Sequence, residues 1–309
     1  MAHGRSGVGT RLGGCGRRTG PVPSQGQLCT ATERDRTQGG GRVTIEVAVI
    51  PAAGRGTRLR PATRVVPKAL VPIVDRPAIQ YGVEEAARAG ATEAIIVVDP
   101  GVGSLVHKHF ADEGPLPGLE HMKITPVTQP VPLGLGHAVL TAREAVAGRT
   151  FFCMLADNIS RIDVLDQMAA QFDGTSMVSL RHLTDDFLAR YGVIVPGAWR
   201  SETVVEVRGA VEKPGVERAP SRLGLVGRYI FTPEVFETLD GLAPGFGGEI
   251  QLTDAIDALG RRGRCDGFVS PDDLLDVGNP AGLLEASTVL GLAHAELGEG
   301  YRRFLKGLL

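Results

Sequence analysis

The residues best suited to chemistry begin at Ala53, Gly54 and Gly56, a turn of little side-chain bulk directly after an apolar run at 43–50. Glycine tolerates φ > 0 and lets backbone N–H groups approach a ligand closely, so such a turn can wrap the oxygens of a triphosphate. Arg58 then supplies a planar fork and Lys68 a mobile point charge. Further along, Gln129 precedes a proline-glycine loop containing Gly134 and Gly136. Its amide offers both a donor and an acceptor to a pyrimidine edge. Asp157 follows another apolar stretch, where a carboxylate can hold a hard divalent cation against phosphate oxygens. Each signal is weak alone: a short G-x-G is a common surface turn, a proline-glycine loop is commonly a connection, and a strand-end aspartate commonly closes a turn. An isolated Glu-Lys pair such as Glu212-Lys213 is commonly a solvated surface pair. His107 and His109 lie too close together, without cysteine company, to be read as a metal site.

Positioning these residues requires strands that end where the loops begin. Strand-like patterns fall at 43–50, 94–98, 124–127, 151–155 and 177–181, and helical periodicity at 79–89, 137–147 and 164–172. The alternation predicts an α/β fold with a doubly wound, mostly parallel, Rossmann-like sheet and ligands at the carboxyl ends of its strands. With 309 residues, 43% of them hydrophobic, and a formal charge of −2, the chain is long enough for one large core and a small annex. No apolar run approaches the roughly 18 residues of a membrane helix, and no signal-peptide pattern opens the chain. The expectation is a soluble cytoplasmic protein with no membrane partner. Cys15, Cys29, Cys153 and Cys265 lack the paired spacing of a disulfide scaffold.

Residues 1–42 differ in kind. Seven arginines stand against Glu33 and Asp35, a net +5, which leaves −7 for the remainder, and eleven of the 42 glycines fall here. No hydrophobic period offsets the entropy of ordering such a segment, so it is predicted to be a disordered basic tail, with the folded domain at 43–309. It is not convincingly amphipathic and lacks interleaved aromatics, so neither a transit peptide nor a nucleic-acid partner is expected. A start site assigned too early in a GC-rich gene, with initiation near Val43, accounts for it more simply.

Residues 50–81, IPAAGRGTRLRPATRVVPKALVPIVDRPAIQY, resemble the opening motif of the sugar-phosphate nucleotidyltransferases, and among them the bacterial UTP-glucose-1-phosphate uridylyltransferases. Pro61 to Thr63, Pro67-Lys68 and the pair Ala53-Gly54 favour that group over the related thymidylyltransferases. PLGLGHA at 132–138, Asp157 in MLADNIS, Tyr191-Gly192-Val193, Glu212-Lys213-Pro214, residues 226–229 and 248–256, and Asp276 in LLDVGNP resemble family motifs in family order. The likeness therefore spans 46–305.

The resemblance implies that Ala52 and Ala53 touch the nucleoside, with Gln129 and the backbone around Gly134 reading uracil. It implies that Asp157 and Asp276 clamp one Mg²⁺, and that Glu212 and Gly192 hold the sugar in a small β-rich annex. Arg58, Lys68 and Lys213 would neutralise phosphates, and Glu249 is a further candidate for a sugar contact. The implied reaction uses no protein nucleophile: an oxygen of glucose-1-phosphate attacks the α-phosphorus of UTP in line and pyrophosphate leaves. A homo-oligomer, dimer or tetramer, is implied too. Four departures stand out: Pro130 where many relatives are basic, Ala156 and Asn158 flanking Asp157 much as in the thymidylyl enzymes, Pro280 in place of lysine, and a short 109–123 region. They leave thymidylyl transfer and a non-catalytic nucleotide-sugar-binding paralogue as alternatives.

Overall fold

The computed structural model describes residues 43–112, 114–271 and 274–308. The disordered tail and the alternative start, both at 1–42, lie outside the described residues. Among those residues nine strands share one sheet: β1 (Val47–Pro51), β2 (Glu93–Val98), β3 (Lys123–Thr128), β4 (Phe151–Met154), β5 (Ser176–His182), β6 (Val193–Trp199), β7 (Val204–Val211), β8 (Leu223–Phe231) and β9 (Cys265–Val269). Their spatial order is β3-β2-β1-β4-β8-β5-β9-β7-β6. The longer helices are α1 (Ala78–Arg88), α2 (Leu135–Thr141), α3 (Val164–Gln171), α4 (Glu234–Asp240), α5 (Leu252–Arg261), α6 (Pro280–Ala293) and α7 (Gly298–Leu308). No helix among the described residues is long and apolar enough to cross a membrane.

Alternate residues of β1 divide between two cores, as the two-residue period of a strand covered on both faces demands. Val47 and Val49, with Phe151 and Cys153 of β4, pack beneath α2, α4 and α5 through Val139, Val235 and Ile256. Ala48 and Ile50, with Phe152 and Met154, pack against α1 and α3 through Ile79, Val83, Leu165 and Met168. Full burial of each large apolar side chain stabilises the fold by about 1.5–3 kcal/mol.

The sheet is mixed. β1 runs parallel to β2 and β4, β2 to β3, and β9 to β5, whereas β8 is antiparallel to β4 and β5, and β7 to β6 and β9. The mostly parallel sheet expected from alternation is therefore confined to the β3-β2-β1-β4 half and the β5-β9 pair. The physical reason is partly visible in the connections: four residues, 200–203, join β6 to β7, and so short a link forces a hairpin. Because β6 and β7 continue the main sheet, Gly192 and Glu212 are carried by that sheet, and the described residues form no separate β-rich annex around them. Beside the sheet lies a small core of Ile73, Ala78, Ile159, Val277 and Ala286, where α6 covers two two-residue ladders. Boundaries also shift. The strand expected at 43–50 begins at Val47, and the helix expected at 137–147 begins at Leu135 and breaks at Ala142 before one further turn, Arg143–Val146.

All nine residues of β8 are buried, yet one of them is Arg228, 0% exposed. Its partner is Glu85 on the inward face of α1, 3% exposed. Nε lies 3.1 and 3.0 Å from the two carboxylate oxygens and Nη2 lies 2.8 Å from Oε2. The remaining guanidinium protons go to main-chain oxygens, Nη2 to Asn158 at 2.7 Å and Nη1 to Gly227 at 3.2 Å. A buried charge is tolerable when its geometry and hydrogen bonds are this complete, and costly when they are broken. Arg228→Met, which strands the Glu85 carboxylate, is expected to lower the unfolding free energy by about 3–5 kcal/mol. Glu85→Leu combined with Arg228→Met should recover most of that loss. Denaturant titration of both variants measures it, and an Arg228→Met chain as stable as the parent would show that the pair contributes little.

Candidate active site

Three parallel strands end on one cleft of about 660 Å³. From β1 come Ala52, Ala53, Gly54 and Gly56, from β3 Gln129, and from β4 Asp157. Lys68, Gly134 and Glu249 complete the same wall. Ala52 N donates to Val97 O and Gln129 N to Val98 O, at 2.7 and 2.8 Å, so the loop starts are stitched to the strand between them.

The two glycines of the first loop serve different ends. Gly56 has φ 57°, and a Cβ there would lie 2.9 Å from Thr63 Cγ2 and 3.0 Å from Lys68 Cβ. The turn closes on itself, with Thr63 Oγ1 donating to Gly56 O at 2.7 Å, and thereby fixes Lys68. A Cβ on Gly54 would meet nothing within 4 Å, so its backbone is open to a ligand. Gly134, at φ 109°, faces Ile250 O at 2.8 Å from an added Cβ. The close approach predicted for the second loop is thus made first to its own chain, reinforced by Gly136 N donating to Ile250 O.

Gln129 is 3% exposed and its amide is partly used: Nε2 contacts Gly134 O at 3.3 Å and His137 Nδ1 at 2.8 Å. The carbonyl fixes the amide orientation, because an amide oxygen turned toward it would repel it. The donor expected for a base is therefore engaged internally, and the acceptor Oε1 remains. His137 escaped the sequence reading as its partner because the contact crosses a helix start.

Asp157 and Asp276 are brought together by a short antiparallel ladder pairing Asp276 with Asn158 and Leu275 with Ile159. Val277 N donates to Asp157 O at 2.9 Å. Asp276 Oδ1 accepts from Gly278 N and Oδ2 from the Asn279 amide, at 2.8 and 3.1 Å, which fixes its orientation. Lys68 Nζ contacts Asp157 Oδ2, while Arg58 spans both carboxylates, 3.9 Å from Asp157 and 3.8 Å from Asp276. Two cations thus balance two carboxylates. A Cβ on Gly278 would lie 2.7 Å from Arg58 Nη2, 2.8 Å from Asp157 Oδ2 and 2.9 Å from Asp276 Oδ1, so the guanidinium and both carboxylate oxygens converge beside this glycine and Arg58 stands where a bound cation would otherwise balance the pair. That cradle fits one hard cation held by two carboxylates. No group of three or more metal-ligating side chains occurs among the described residues, so further oxygens would come from phosphate and water. His107 lies beside Asp112 and His109 beside Gln80.

The remaining predicted residues form a second group. Glu212 Oε2 accepts from Thr253 Oγ1 at 2.6 Å, and Oε1 lies 2.9 Å from Lys213 Nζ. Lys213, at φ 46°, also stands over the Phe246 ring at 5.2 Å. A Cβ on Gly192 would meet Thr253 Oγ1 at 2.8 Å, which places Gly192 and Glu212 against one threonine. Arg58, Asp276, Gly192, Glu212 and Lys213 stand off the wall of the 660 Å³ cleft. Next to Gly192, burial pushes the Tyr191 phenol above its ordinary range, with Arg181, 5.3 Å over its ring, acting against the shift and Asp276 adding to it. Tyr191 and Thr253 lie inside segments that resemble family motifs, but neither side chain is singled out there as a site group. Of the departures, Pro130 is exposed and off the cleft wall, and Pro280 opens α6 behind the Asn279 cap, where proline suits the first turn.

The Nucleotidyl transferase family model matches residues 47–291. The chain is 35% identical over 289 residues to UTP--glucose-1-phosphate uridylyltransferase YngB of Bacillus subtilis, covering 87% of this chain and 97% of that protein. It is 35% identical over 287 residues to the UTP--glucose-1-phosphate uridylyltransferase of Streptococcus pneumoniae, covering 84% and 95%. A crystal structure of UDP-glucose pyrophosphorylase complexed with UDP-glucose superposes with TM-score 0.76 at 35% identity, over 81% of this chain and 100% of that one. A UTP-bound UGPase from Acinetobacter baumannii gives 0.77 at 30% identity, over 86% and 100%.

The Gly278 cradle is directly testable. Gly278→Ala should weaken Mn²⁺ binding in the presence of UTP by roughly tenfold or more, a loss typical of disturbed metal surroundings. Electron paramagnetic resonance of free Mn²⁺ reads the binding and a thermal melt checks the fold. Undiminished Mn²⁺ affinity would remove the cradle as a metal site.

Proposed function

The chain belongs to the nucleotidyl transferase family, and on that premise we propose that it transfers the uridylyl group of UTP to glucose-1-phosphate, giving UDP-glucose and pyrophosphate. One observation carries the reading: the open Gly54 backbone, Lys68, the Gln129 acceptor and Asp157 meet on a single cleft at the carboxyl ends of β1, β3 and β4, with Asp276 joined to them through Arg58. The parallel half of the sheet, helices on both faces, supports a Rossmann-like core within a nucleotidyltransferase domain at 43–309.

In this reading the backbone at Ala52, Ala53, Gly54 and Gly56 takes the nucleotide, and Gln129 Oε1 accepts the N3–H of the base, beside Gly134. Arg58 and Lys68 exchange their carboxylate partners for phosphate oxygens, to which both are suited as donors. That exchange frees Asp157 and Asp276 to hold Mg²⁺, which would neutralise charge on the triphosphate. Glu212 accepts sugar hydroxyls, Gly192 contributes backbone, and Lys213 lies against the sugar phosphate. The phosphate oxygen of the sugar forms a bond to the α-phosphorus as the α–β bridge breaks and its electron pair leaves with pyrophosphate. Alignment and charge neutralisation supply the catalysis. A cytoplasmic homo-oligomer without nucleic-acid or membrane partners completes the proposal.

Pyrophosphate release with Mg²⁺ and glucose-1-phosphate, comparing UTP with dTTP, tests it. Release with UTP in clear preference is expected, dTTP preference would shift the assignment to thymidylyl transfer, and no release with either would favour a binding paralogue. Lys213→Ala is expected to lower kcat by about 10²–10³-fold with the Kd for UTP within about twofold, since its charge faces the attacking phosphate. Unchanged kcat would take Lys213 out of the reaction.

A further inference from the structure

The segment 55–68, RGTRLRPATRVVPK, carries five cations and no acid. Two are committed, Lys68 to Asp157 and Arg58 to both aspartates. The other three, Arg55, Arg60 and Arg64, are exposed, and no ion pair or hydrogen bond joins them to any described residue. They do not point away from one another into solvent. Together with Lys68 they line a second groove of about 520 Å³ on the outer side of the glycine loop, where the one acid on the wall is Asp99. By contrast, the cavity bounded by Arg200, Arg208 and Arg261 has a carboxylate within 3.5 Å of each guanidinium, and no positive charge is left there for a ligand.

The outer groove and the nucleotide cleft share Ala52, Gly54, Arg55 and Lys68, so they are two sides of one loop. At Gly54 no atom blocks the way between them within 4 Å of an added Cβ. Asp99 offsets part of the charge, chiefly that of Arg55, and the cations in excess of it repel one another, a repulsion that a condensed phosphate would relieve. Guanidinium forks match its oxygens in pairs. The proposed reaction releases such an anion at this loop. We propose that the outer groove is a binding site for inorganic pyrophosphate, receiving the product as it leaves the cleft. The proposal rests on the uridylyl-transfer reading for the source of the pyrophosphate, and on the groove itself for the binding.

The test uses the full chain and its R60Q/R64Q variant, which alters neither the cleft wall nor the carboxylate pair. Inorganic pyrophosphate is titrated calorimetrically into protein saturated with UTP, without divalent metal. One pyrophosphate per chain is expected, with its Kd weakened by roughly tenfold or more in the variant, the scale of losing two charged hydrogen-bonding groups. Complete exclusion of pyrophosphate by UTP, or equal affinity in the variant, would overturn the proposal. So would uptake of two UTP per chain, since the groove would then serve a nucleotide. If UTP fails to bind even when Mg²⁺ is added, the uridylyl reading falls separately, and titration of the unliganded chain decides the groove by the same comparison.

Discussion

Placement of both aspartates depends on a charge that the fold has taken out of water. Arg228 sits mid-strand in β8 and closes on Glu85 of α1, so the sheet and one helical layer are locked in register by a bidentate pair. The same guanidinium holds the Asn158 carbonyl, one residue beyond Asp157. Asn158 in turn pairs with Asp276 across the short ladder. A single buried cation thus reaches both carboxylates through main-chain contacts. An apolar replacement could preserve the packing and even the stability, because buried ion pairs are weak contributors when whole. It could not hold the carbonyl, which suggests why so costly a group suits this position.

The carboxylate pair shows the complementary logic at the surface of the cleft. Two negative groups aimed at one space would repel, and Arg58 with Lys68 supplies the balance while no ligand is present. When a triphosphate and a divalent cation arrive together, both cations could turn to phosphate while the metal would take their place between the carboxylates. A Cβ at Gly278 would crowd Arg58 Nη2 and both carboxylate oxygens at once, at 2.7, 2.8 and 2.9 Å.

Legibility from sequence followed the range of the interactions. The glycine turn, Lys68 and Asp157 were readable because each is set by residues close in the chain, at strand ends that apolar runs announce. The direction of a strand leaves no trace in hydrophobic period, so β8 and the β6–β7 hairpin broke the expected parallel order. Arg228 did carry a signal, an arginine inside LGLVGRYIF, but its partner lies 143 residues away and nothing local names it. Gln129 does stand on the cleft wall, but the donor expected of its amide is engaged, since His137 claims an amide proton through the turn of the next helix.

That last detail constrains which bases the cleft can accept. With Nε2 engaged, Gln129 offers an acceptor, which suits the N3–H of uracil and of thymine alike and rejects cytosine, whose N3 is itself an acceptor. Uracil and thymine then differ at this wall by one methyl group. The surfaces left to sense it are Pro132, Leu135 and Ala138, all short or apolar and all on the cleft wall. A methyl in an apolar pocket is worth about 1–3 kcal/mol, a factor of 10–200. Binding cytosine would leave a buried acceptor unpaired, so its exclusion is the stronger discrimination. On the proposed reading, base choice is two decisions of unequal strength, one made by a hydrogen bond and the other by shape, and Pro130 and Pro280, both off the cleft wall, touch neither.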